Sequence, residues 1–365
     1  MKIGILTQPL RYNYGGILQN YALQQILIKS GHEVITIDQK ERVFVKNNIV
    51  MVLSVIKTII LKLLGRGQNR KYPETKRSEK IKARKILEFT DSKIYHTSTI
   101  KSSRNIINYI NRGEFDAVVV GSDQVWRPGY NQDILLNFLN GLEKKSIKRL
   151  AYAASFGVDV WELSSKETKE AKRLIHLFDF VGVREKSGLV LCEKYLDYNK
   201  AQLVLDPTML LEKQDYEMLL DKVQGNNDKY LLSYILNKTP ISDAIINKVA
   251  KSNHMSIKSV AHGRDMYPSI EDWLSGFMNA SFVVCDSFHA VAFSIIFNKD
   301  FLVLGNKGRG LSRFYSILSI FNLEDRLIVD ADKIVSYKRI DWETVNSTRR
   351  ILKEKSIKML KQSLS

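Results

Sequence analysis

Cysteine is scarce in this chain, and the two residues present, Cys192 and Cys285, lie far apart in apolar segments. They form no C-x-x-C pair, so the sequence supports neither a disulfide framework nor a zinc site. Proline is also scarce, with six in 365 residues, while 44% of the residues are hydrophobic. This composition is typical of a folded globular protein, and the length allows two domains, each with its own core.

The common nucleotide-binding loops are missing as well. The first apolar run leads into "QPLRYNYGG", which has neither the G-x-G-x-x-G nor the P-loop spacing. Dinucleotide or ATP binding through such loops is therefore not supported. The start "MKIGILTQPLRY" is unlike a signal peptide, because its apolar run is only a few residues long. We therefore expect a cytoplasmic protein.

Negative charge is under-represented, with 56 Lys and Arg against 39 Asp and Glu and a net charge of +17. Residues 40–85 hold fourteen Lys and Arg but three Glu, and they enclose the apolar stretch "IVMVLSVIKTIILKLLG". Lys57 and Lys62 inside this stretch argue against a membrane-spanning helix. An apolar helix with basic flanks is typical of a protein that rests on an anionic inner leaflet, and the alternative is a helix packed on the domain beside a solvated basic face. Tyr72 is the one aromatic residue within the run after the apolar stretch, so nucleic acid is not predicted as a partner.

Alternating strand and helix patterns predict two Rossmann-like α/β domains that face a cleft. Apolar runs such as "FDAVVVGSDQ", "RLAYAASFG" and "FVGVRE" end in polar turns, which brings those turns to one edge of a sheet. We predict an N-terminal domain over 1–210 with a basic apolar insertion at 40–85, and a C-terminal domain over 211–345. A final helix over 346–365 is predicted to cross back to the first domain.

The segment "ASFVVCDSFHAVAFSIIFNKDFLVLGNKGRGLSRF" predicts a strand, a turn, a helix and a second strand. Ser287 is an N-cap residue type, so His289 is expected in the first helical turn, where unpaired N–H groups and the helix dipole favour anions. The glycine-containing loop after the second strand leads to three cations, Lys307, Arg309 and Arg313. We interpret this segment as a site for an anionic ligand with His289 as the proton carrier. The alternative is that His289 caps the helix and the cations are solvated.

The chain resembles the polysaccharide pyruvyltransferase family through motifs that follow one another along nearly its whole length. They are "NYGG", "GSDQVW", "AYAASFG", "VREKSG", "LDPTMLL", "EDWLSGFMNASFVVCDSFHAVAFSIIFNK" and "NKGRGLSRF". The resemblance implies a fold like that of the two-domain GT-B glycosyltransferases. It also implies transfer of pyruvate from phosphoenolpyruvate to sugar hydroxyls, with formation of a cyclic ketal.

The same resemblance implies roles for individual residues. His289 is similar to the family's catalytic histidine, Arg184 to its donor-binding arginine, and Lys307 to the basic residue after the next strand. Many members have an arginine two residues before the histidine, where this chain has Ser287, so another cation is expected to substitute for it. The predicted donor-binding residues are Arg184, Lys307, Arg309, Arg313 and Ser287.

The donor chemistry agrees with these residue types. Phosphoenolpyruvate carries a carboxylate and a phosphate, which fixed cations and helix N-termini hold, so no metal or other cofactor is predicted. On the facing domain, Asp123 is the candidate base for the attacking hydroxyl, or alternatively a helix cap. The predicted acceptor-binding residues are Asn13, Tyr14, Gly15 and Gln124. We expect the acceptor to be a lipid-linked oligosaccharide or polysaccharide repeat unit of a capsule or exopolysaccharide.

Two other functions fit the same patterns. The first is a glycosyltransferase of GT-B type, in which the C-terminal cations hold the diphosphate of a nucleotide-sugar. The second is a scaffold without enzymatic activity that rests on the membrane through its basic apolar segment. The identity of the donor distinguishes the glycosyltransferase from a pyruvyltransferase. Replacement of His289 distinguishes the scaffold, which should keep its function without this histidine.

Overall fold

A parallel six-stranded sheet forms the first domain. The computed structural model describes residues 1–40, 56–62, 64, 76–131, 133–142, 146–220, 229–261, 266–305, 311–329 and 338–365. The strands of this sheet are β1 (Lys2–Leu6), β2 (Glu33–Thr36), β3 (Ala117–Val120), β4 (Lys148–Ala154), β5 (Phe180–Val183) and β6 (Gln202–Leu203). They lie in the order β2-β1-β3-β4-β5-β6, and every residue of β3 is buried. Such apolar strands require helices on both faces of the sheet.

The helices that accompany this sheet follow the strands in the chain. They are α1 (Tyr14–Lys29), α2 (residues 56–62), α3 (Lys76–Lys82), α4 (Arg84–Lys93), α5 (Ser103–Arg112), α6 (Ser165–Ile175), α7 (Lys186–Leu196) and α8 (Lys213–Glu217). Helix α1 begins after Asn13, whose side chain accepts a hydrogen bond from the Gly16 N–H at 3.2 Å. The N-terminus of α1 therefore lies at the carboxyl edge of the sheet, directly after β1 and its turn.

A second parallel sheet, of five strands, forms the other domain. Its strands are β7 (Tyr230–Tyr234), β8 (Ser256–Ser259), β9 (Phe282–Cys285), β10 (Asp300–Leu304) and β11 (Leu327–Ile328), in the order β11-β10-β9-β7-β8. The helices of this part of the chain are α9 (Pro240–Ser252), α10 (Ile270–Asn279), α11 (Phe288–Ile296), α12 (Ser312–Ile320) and α13 (Trp342–Leu364). Two parallel α/β sheets of this kind confirm the predicted fold class.

The long C-terminal helix α13 lies on the first domain. The Ser356 hydroxyl accepts a hydrogen bond from the Leu205 N–H at 3.1 Å. The Arg349 guanidinium donates to the Leu211 carbonyl at 3.1 Å and to the Glu212 carboxylate at 2.6 Å. The chain therefore crosses from the first domain to the second after β6 and returns before α13, and Arg349 ties the two crossings together.

The two domains meet through packed aromatic rings. Tyr14 is 1% exposed and stacks on Trp273 of the second domain, with ring centroids 5.7 Å apart and an interplanar angle of 14°. Its hydroxyl donates to the Pro268 carbonyl at 2.7 Å. This contact brings the N-terminus of α1 against α10 and places the carboxyl edges of the two sheets near each other.

The structure covers the basic apolar segment only in part, and residues 41–55, 63 and 65–75 lie outside the described residues. Within the described residues, no helix is both long enough and apolar enough to cross a membrane. Helix α2 is nevertheless unusual for its surface. Its exposed apolar residues are Ile56, Ile59 and Ile60, at exposures of 45%, 41% and 49%, and Leu64, two positions beyond the end of the helix, is 64% exposed.

Candidate active site

The predicted strand, turn and helix around His289 are present as β9, the turn at Asp286 and Ser287, and α11. Ser287 is the N-cap residue, but its hydroxyl makes no capping hydrogen bond. The Asp286 carboxylate turns away and accepts from the Leu236 N–H at 2.7 Å and the Asn237 N–H at 3.0 Å. Neither of these two side chains therefore caps α11, and His289 lies in its first turn, as predicted from the sequence.

The imidazole of His289 lies between the two domains and is largely enclosed, with 7% of the residue exposed. Its Nε2 is 3.7 Å from Oδ2 of Asp206, which is longer than a hydrogen bond. Among the described residues this buried nitrogen has no hydrogen-bond partner. Buried polar atoms are rarely left unpaired, so an unpaired one requires an explanation such as a bound ligand.

Gly15 leaves the space that the imidazole of His289 occupies. A Cβ added at Gly15 would overlap the ring of His289 at Nδ1 and Cγ. A residue with a side chain would therefore force either the imidazole or the second domain to move. Gly15, which was predicted to contact the acceptor, lies directly against His289. Its lack of a side chain permits this close approach.

Arg184 is the centre of a buried ion cluster at the carboxyl edge of the first sheet. Its Nε donates to Glu185 at 2.9 Å, its Nη1 to Asp206 at 3.0 Å, and its Nη2 to Asp123 at 3.0 Å. The guanidinium also lies 4.3 Å from the ring centroid of Phe288, next to His289. One arginine thus joins three carboxylates of the first domain and contacts the second domain through an aromatic face.

The burial of this cluster shows which partners Arg184 has, while its predicted contact with the donor stays a prediction. One per cent of its side chain is exposed, and each of its three nitrogens already donates to a carboxylate. Burial alone would lower the pKa of the guanidinium, but the carboxylates of Glu185, Asp123 and Asp206 outweigh it and raise that pKa. In this arrangement Arg184 positions the three carboxylates around it.

Asp206 connects the ion cluster to His289, and sequence reasoning missed its role. Besides Arg184, its carboxylate accepts from the Ser122 hydroxyl at 3.1 Å and from the Thr208 N–H at 3.0 Å. Burial alone would raise the pKa of this carboxyl, but His289, Arg184 and Thr208 hold the pKa well below its usual range. A fixed, ionised carboxylate therefore faces the imidazole. The available signal was the Asp-Pro pair of "LDPTMLL", which follows β6 at the edge of the sheet.

Arg313 lies in the first turn of α12 and is the predicted cation that the structure places near the ion cluster. Its Nε is buried without a hydrogen-bond partner among the described residues. Burial and the charge of Arg184 lower its pKa, while Glu185 and Asp123 act in the opposite direction. Arg313 therefore has an unpaired donor within electrostatic range of the cluster. Two other predicted donor residues, Lys307 and Arg309, lie outside the described residues.

The predicted acceptor residues are placed differently from one another. Asn13 is exposed and caps α1, while Gln124 is half-buried and accepts from the Arg127 guanidinium at 3.1 Å. The Tyr14 side chain is enclosed between the domains with its hydroxyl bonded to a carbonyl, so it packs the interface and does not face a ligand. Asp123 has a positive φ of 70° and is bound to Arg184, so it is part of the ion cluster.

Comparison with solved structures identifies the architecture as that of two-domain GT-B enzymes. UDP-GlcNAc 2-epimerase from Methanocaldococcus jannaschii is similar with a TM-score of 0.51 and 14% identity, over 96% of this chain and 92% of that chain. The glycotransferase of kitacinnamycin has a TM-score of 0.49 and 9% identity, over 100% of this chain and 99% of that chain. At 14% identity the likeness to the epimerase concerns the fold alone, and together with the two parallel α/β sheets it confirms the predicted GT-B-like architecture.

A comparison of the sequence with models of protein families shows the family of this chain. The family model for polysaccharide pyruvyl transferase matches residues 13–308, so this chain belongs to that family. No match was found among the curated proteins. The matched range includes His289, Arg184 and Asp206 and ends before Arg313. The protein is therefore a transferase of the pyruvyltransferase type that acts in polysaccharide biosynthesis.

Proposed function

We propose that this protein transfers the pyruvyl group of phosphoenolpyruvate to two hydroxyls of one sugar and releases phosphate. The observation that carries this proposal is the enclosed, unpaired Nε2 of His289 at the domain interface of a pyruvyltransferase family member. A donor with a protonatable enol carbon gives this nitrogen a partner. The family membership supplies the reaction class, and phosphoenolpyruvate as donor is our inference from the site chemistry.

His289 is the proposed proton carrier. The protonated imidazole gives its proton to C3 of phosphoenolpyruvate, and C2 becomes electron-poor. One sugar hydroxyl adds to C2 and loses its proton to a base, for which Asp123 and the newly neutral His289 are the candidates. The bond from C2 to the phosphate oxygen then breaks with its electron pair on phosphate. A second hydroxyl adds to C2 and loses its proton, which closes the ketal ring. Of the two protons that the hydroxyls lose, one restores the protonated His289 and the other leaves with the phosphate.

Asp206 is proposed to position His289 for this step. Its carboxylate is held by Arg184, Ser122 and Thr208, so the charge that faces Nε2 does not move when the imidazole gains or loses a proton. Preorganised charge of this kind requires no rearrangement during the reaction. The first domain thus fixes the charge, and the second domain carries the proton.

The anionic groups of the donor require cations beyond Arg184. The cluster of Arg184 with Asp123, Glu185 and Asp206 carries more negative than positive charge, so it does not attract a carboxylate and a phosphate by itself. Arg313 has an unpaired buried Nε and is our candidate for one of these groups. Lys307 and Arg309 are proposed to complete the donor site, and no metal or other cofactor is part of the proposal.

We further propose that the acceptor is lipid-linked and that residues 40–85 hold the protein against an anionic membrane surface. The apolar residues of α2 are exposed, and the surrounding sequence holds fourteen Lys and Arg against three Glu. Apolar contact and charge attraction together support binding of a helix at the membrane surface. Such binding would bring the cleft close to a lipid-linked repeat unit.

The test is phosphate release from phosphoenolpyruvate in the presence of candidate oligosaccharide acceptors. His289→Gln keeps a polar side chain but cannot carry a proton, and we expect it to lower kcat about 100-fold to 10,000-fold. His176→Gln changes an exposed histidine at the end of α6 and should leave kcat unchanged. An unaltered rate in His289→Gln would contradict the proposal. Thermal protection by a nucleotide-sugar, with none by phosphoenolpyruvate, would favour the glycosyltransferase instead.

A further inference from the structure

An open cavity of about 600 Å³ lies beside the ion cluster, in the turn that follows β3. Its lining residues are Arg127, Pro128, Gly129, Tyr130 and Glu162. None of these residues was singled out by the sequence motifs or takes part in the proposed chemistry. The cavity is wide at its mouth and combines an aromatic ring with two charged side chains.

The side chains of this cavity are held in a fixed stack. The Arg127 Nε donates to Glu162 at 3.2 Å, and its Nη1 donates to Gln124 at 3.1 Å. The guanidinium lies 5.1 Å from the ring centroid of Tyr130. Tyr130 is 49% exposed, so its ring remains accessible while Arg127 is fixed behind it.

Amide side chains hold the backbone of the same turn. The Asn131 amide donates to the carbonyls of Gln124 at 3.1 Å and Arg127 at 2.7 Å. The Gln8 amide, from the first turn of the domain, also donates to the Gln124 carbonyl at 2.9 Å. The cavity is therefore built before any ligand arrives, which lowers the cost of ordering its side chains on binding.

The position of the cavity connects it to the candidate active site. Asp123, which binds Arg184, directly precedes Gln124, and Gln124 fixes Arg127. From the second domain, Arg313 lies within electrostatic range of Tyr130. A ligand that covers the Tyr130 ring would therefore lie close in the chain to Asp123 of the ion cluster and within electrostatic range of Arg313.

We propose that this cavity is a subsite for a neutral sugar ring of the acceptor, an inference that rests on the proposed function. The C–H face of a pyranose packs on an exposed aromatic ring, and its hydroxyls pair with the planar groups of Arg127 and Glu162. Because Arg127 and Glu162 neutralise each other, the cavity has no excess charge that would select an anion. Its open mouth leaves room for the rest of an oligosaccharide chain.

The experiment measures binding to the full-length protein by saturation-transfer NMR, without phosphoenolpyruvate. The probes are the methyl glycosides of glucose, galactose, mannose and N-acetylmannosamine, and inorganic phosphate is the anionic probe. We expect at least one glycoside to bind, and Tyr130→Ala to weaken that binding about fivefold to tenfold through loss of ring stacking. Tyr130→Phe keeps the ring and should retain binding. The matched control is Tyr109→Ala, a 38%-exposed tyrosine on α5.

Each outcome decides the inference separately from the proposed function. If no glycoside binds, if Tyr130→Ala binds as well as the wild type, or if phosphate competes for the Tyr130 surface, the sugar subsite is wrong. Pyruvyl transfer with an unchanged acceptor KM in Tyr130→Ala would reject the subsite and keep the proposed function. Glycoside binding that depends on Tyr130, with no reaction of phosphoenolpyruvate, would keep the subsite and reject the proposed function.

Discussion

Replacing Gly15 with alanine tests whether the close approach of the two domains sets the position of His289. In an ordinary helix this substitution stabilises by about 1 kcal/mol, because glycine is a poor helix former. Here the new Cβ would overlap Nδ1 and Cγ of the imidazole and lie 2.8 Å from the His289 Cβ. Overpacking in a core costs about 1–3 kcal/mol, so we expect a net destabilisation of about 0–2 kcal/mol.

The effect on activity should exceed the effect on stability. A reacting group displaced by about 1 Å loses on the order of 100-fold in rate, and the ring must move by a comparable amount to accept the new methyl group. We therefore expect Gly15→Ala to lower kcat for pyruvyl transfer about 100-fold. Stability is measured by urea unfolding and activity by phosphate release, under the same buffer conditions.

The neighbouring glycine supplies the matched control. A Cβ at Gly16 would meet the Asn13 side chain, with the nearest atom at 3.2 Å, and this exposed side chain can shift. Gly16→Ala should therefore leave kcat within about threefold of the wild type. In a His289→Ala background, which removes Nδ1 and Cγ, Gly15→Ala should destabilise less than it does alone. Wild-type activity in Gly15→Ala, or equal loss in both alanine variants, would refute the reasoning.

Two further predictions concern Asp206 and the basic apolar segment. Because the folded-state pKa of Asp206 is lowered, its contribution to stability is complete above the unfolded-state value of 3.8 and is lost as pH falls through the lower folded-state pKa. In Asp206→Asn the free energy of unfolding should therefore fall less steeply with pH below about pH 4 than in the wild type. The control Asp159→Asn, at an exposed site, should fall as steeply as the wild type. Equal slopes of unfolding free energy against pH in the wild type and Asp206→Asn would count against a buried charge at Asp206. Flotation with phosphatidylglycerol vesicles should recover the wild type at low salt but less at physiological ionic strength, where the Debye length is about 8 Å. Replacing the exposed Ile59 and Ile60 with Asp should abolish recovery with the vesicles. Ile241→Asp, which changes an exposed isoleucine of the second domain, should not. Equal recovery of the wild type with neutral vesicles would argue against the membrane proposal.

The surroundings of His289 show what a sequence can predict. The apolar run of β9, the N-cap residue type at Ser287 and the helical spacing after it are all short-range signals. They placed His289 in the first turn of a helix, where the structure has it. The alternation of such units also predicted the fold class, because parallel strands joined by helices allow few arrangements.

The ion cluster shows what the sequence left open. Arg184 meets Asp123 across 61 positions and Asp206 across 22, and these contacts depend on the order of β3, β5 and β6 in the sheet. Local patterns do not encode that order, so the sequence did not predict the three carboxylate partners of Arg184. The burial of Tyr14 against Trp273 was not predicted for the same reason, since it depends on how the second domain docks.

The path of the chain through α13 connects the two halves of the molecule a second time. Two separate backbone segments connect the two domains. Arg349, in the second segment, donates hydrogen bonds to Leu211 and Glu212 in the first. A change in the angle between the domains would have this place as its pivot. Since Asp206 stands on one side of the pivot and His289 on the other, bending alters the 3.7 Å gap between carboxylate and imidazole. Entry of the proposed acceptor and the proposed proton transfer would then both depend on the distance between this one pair of atoms.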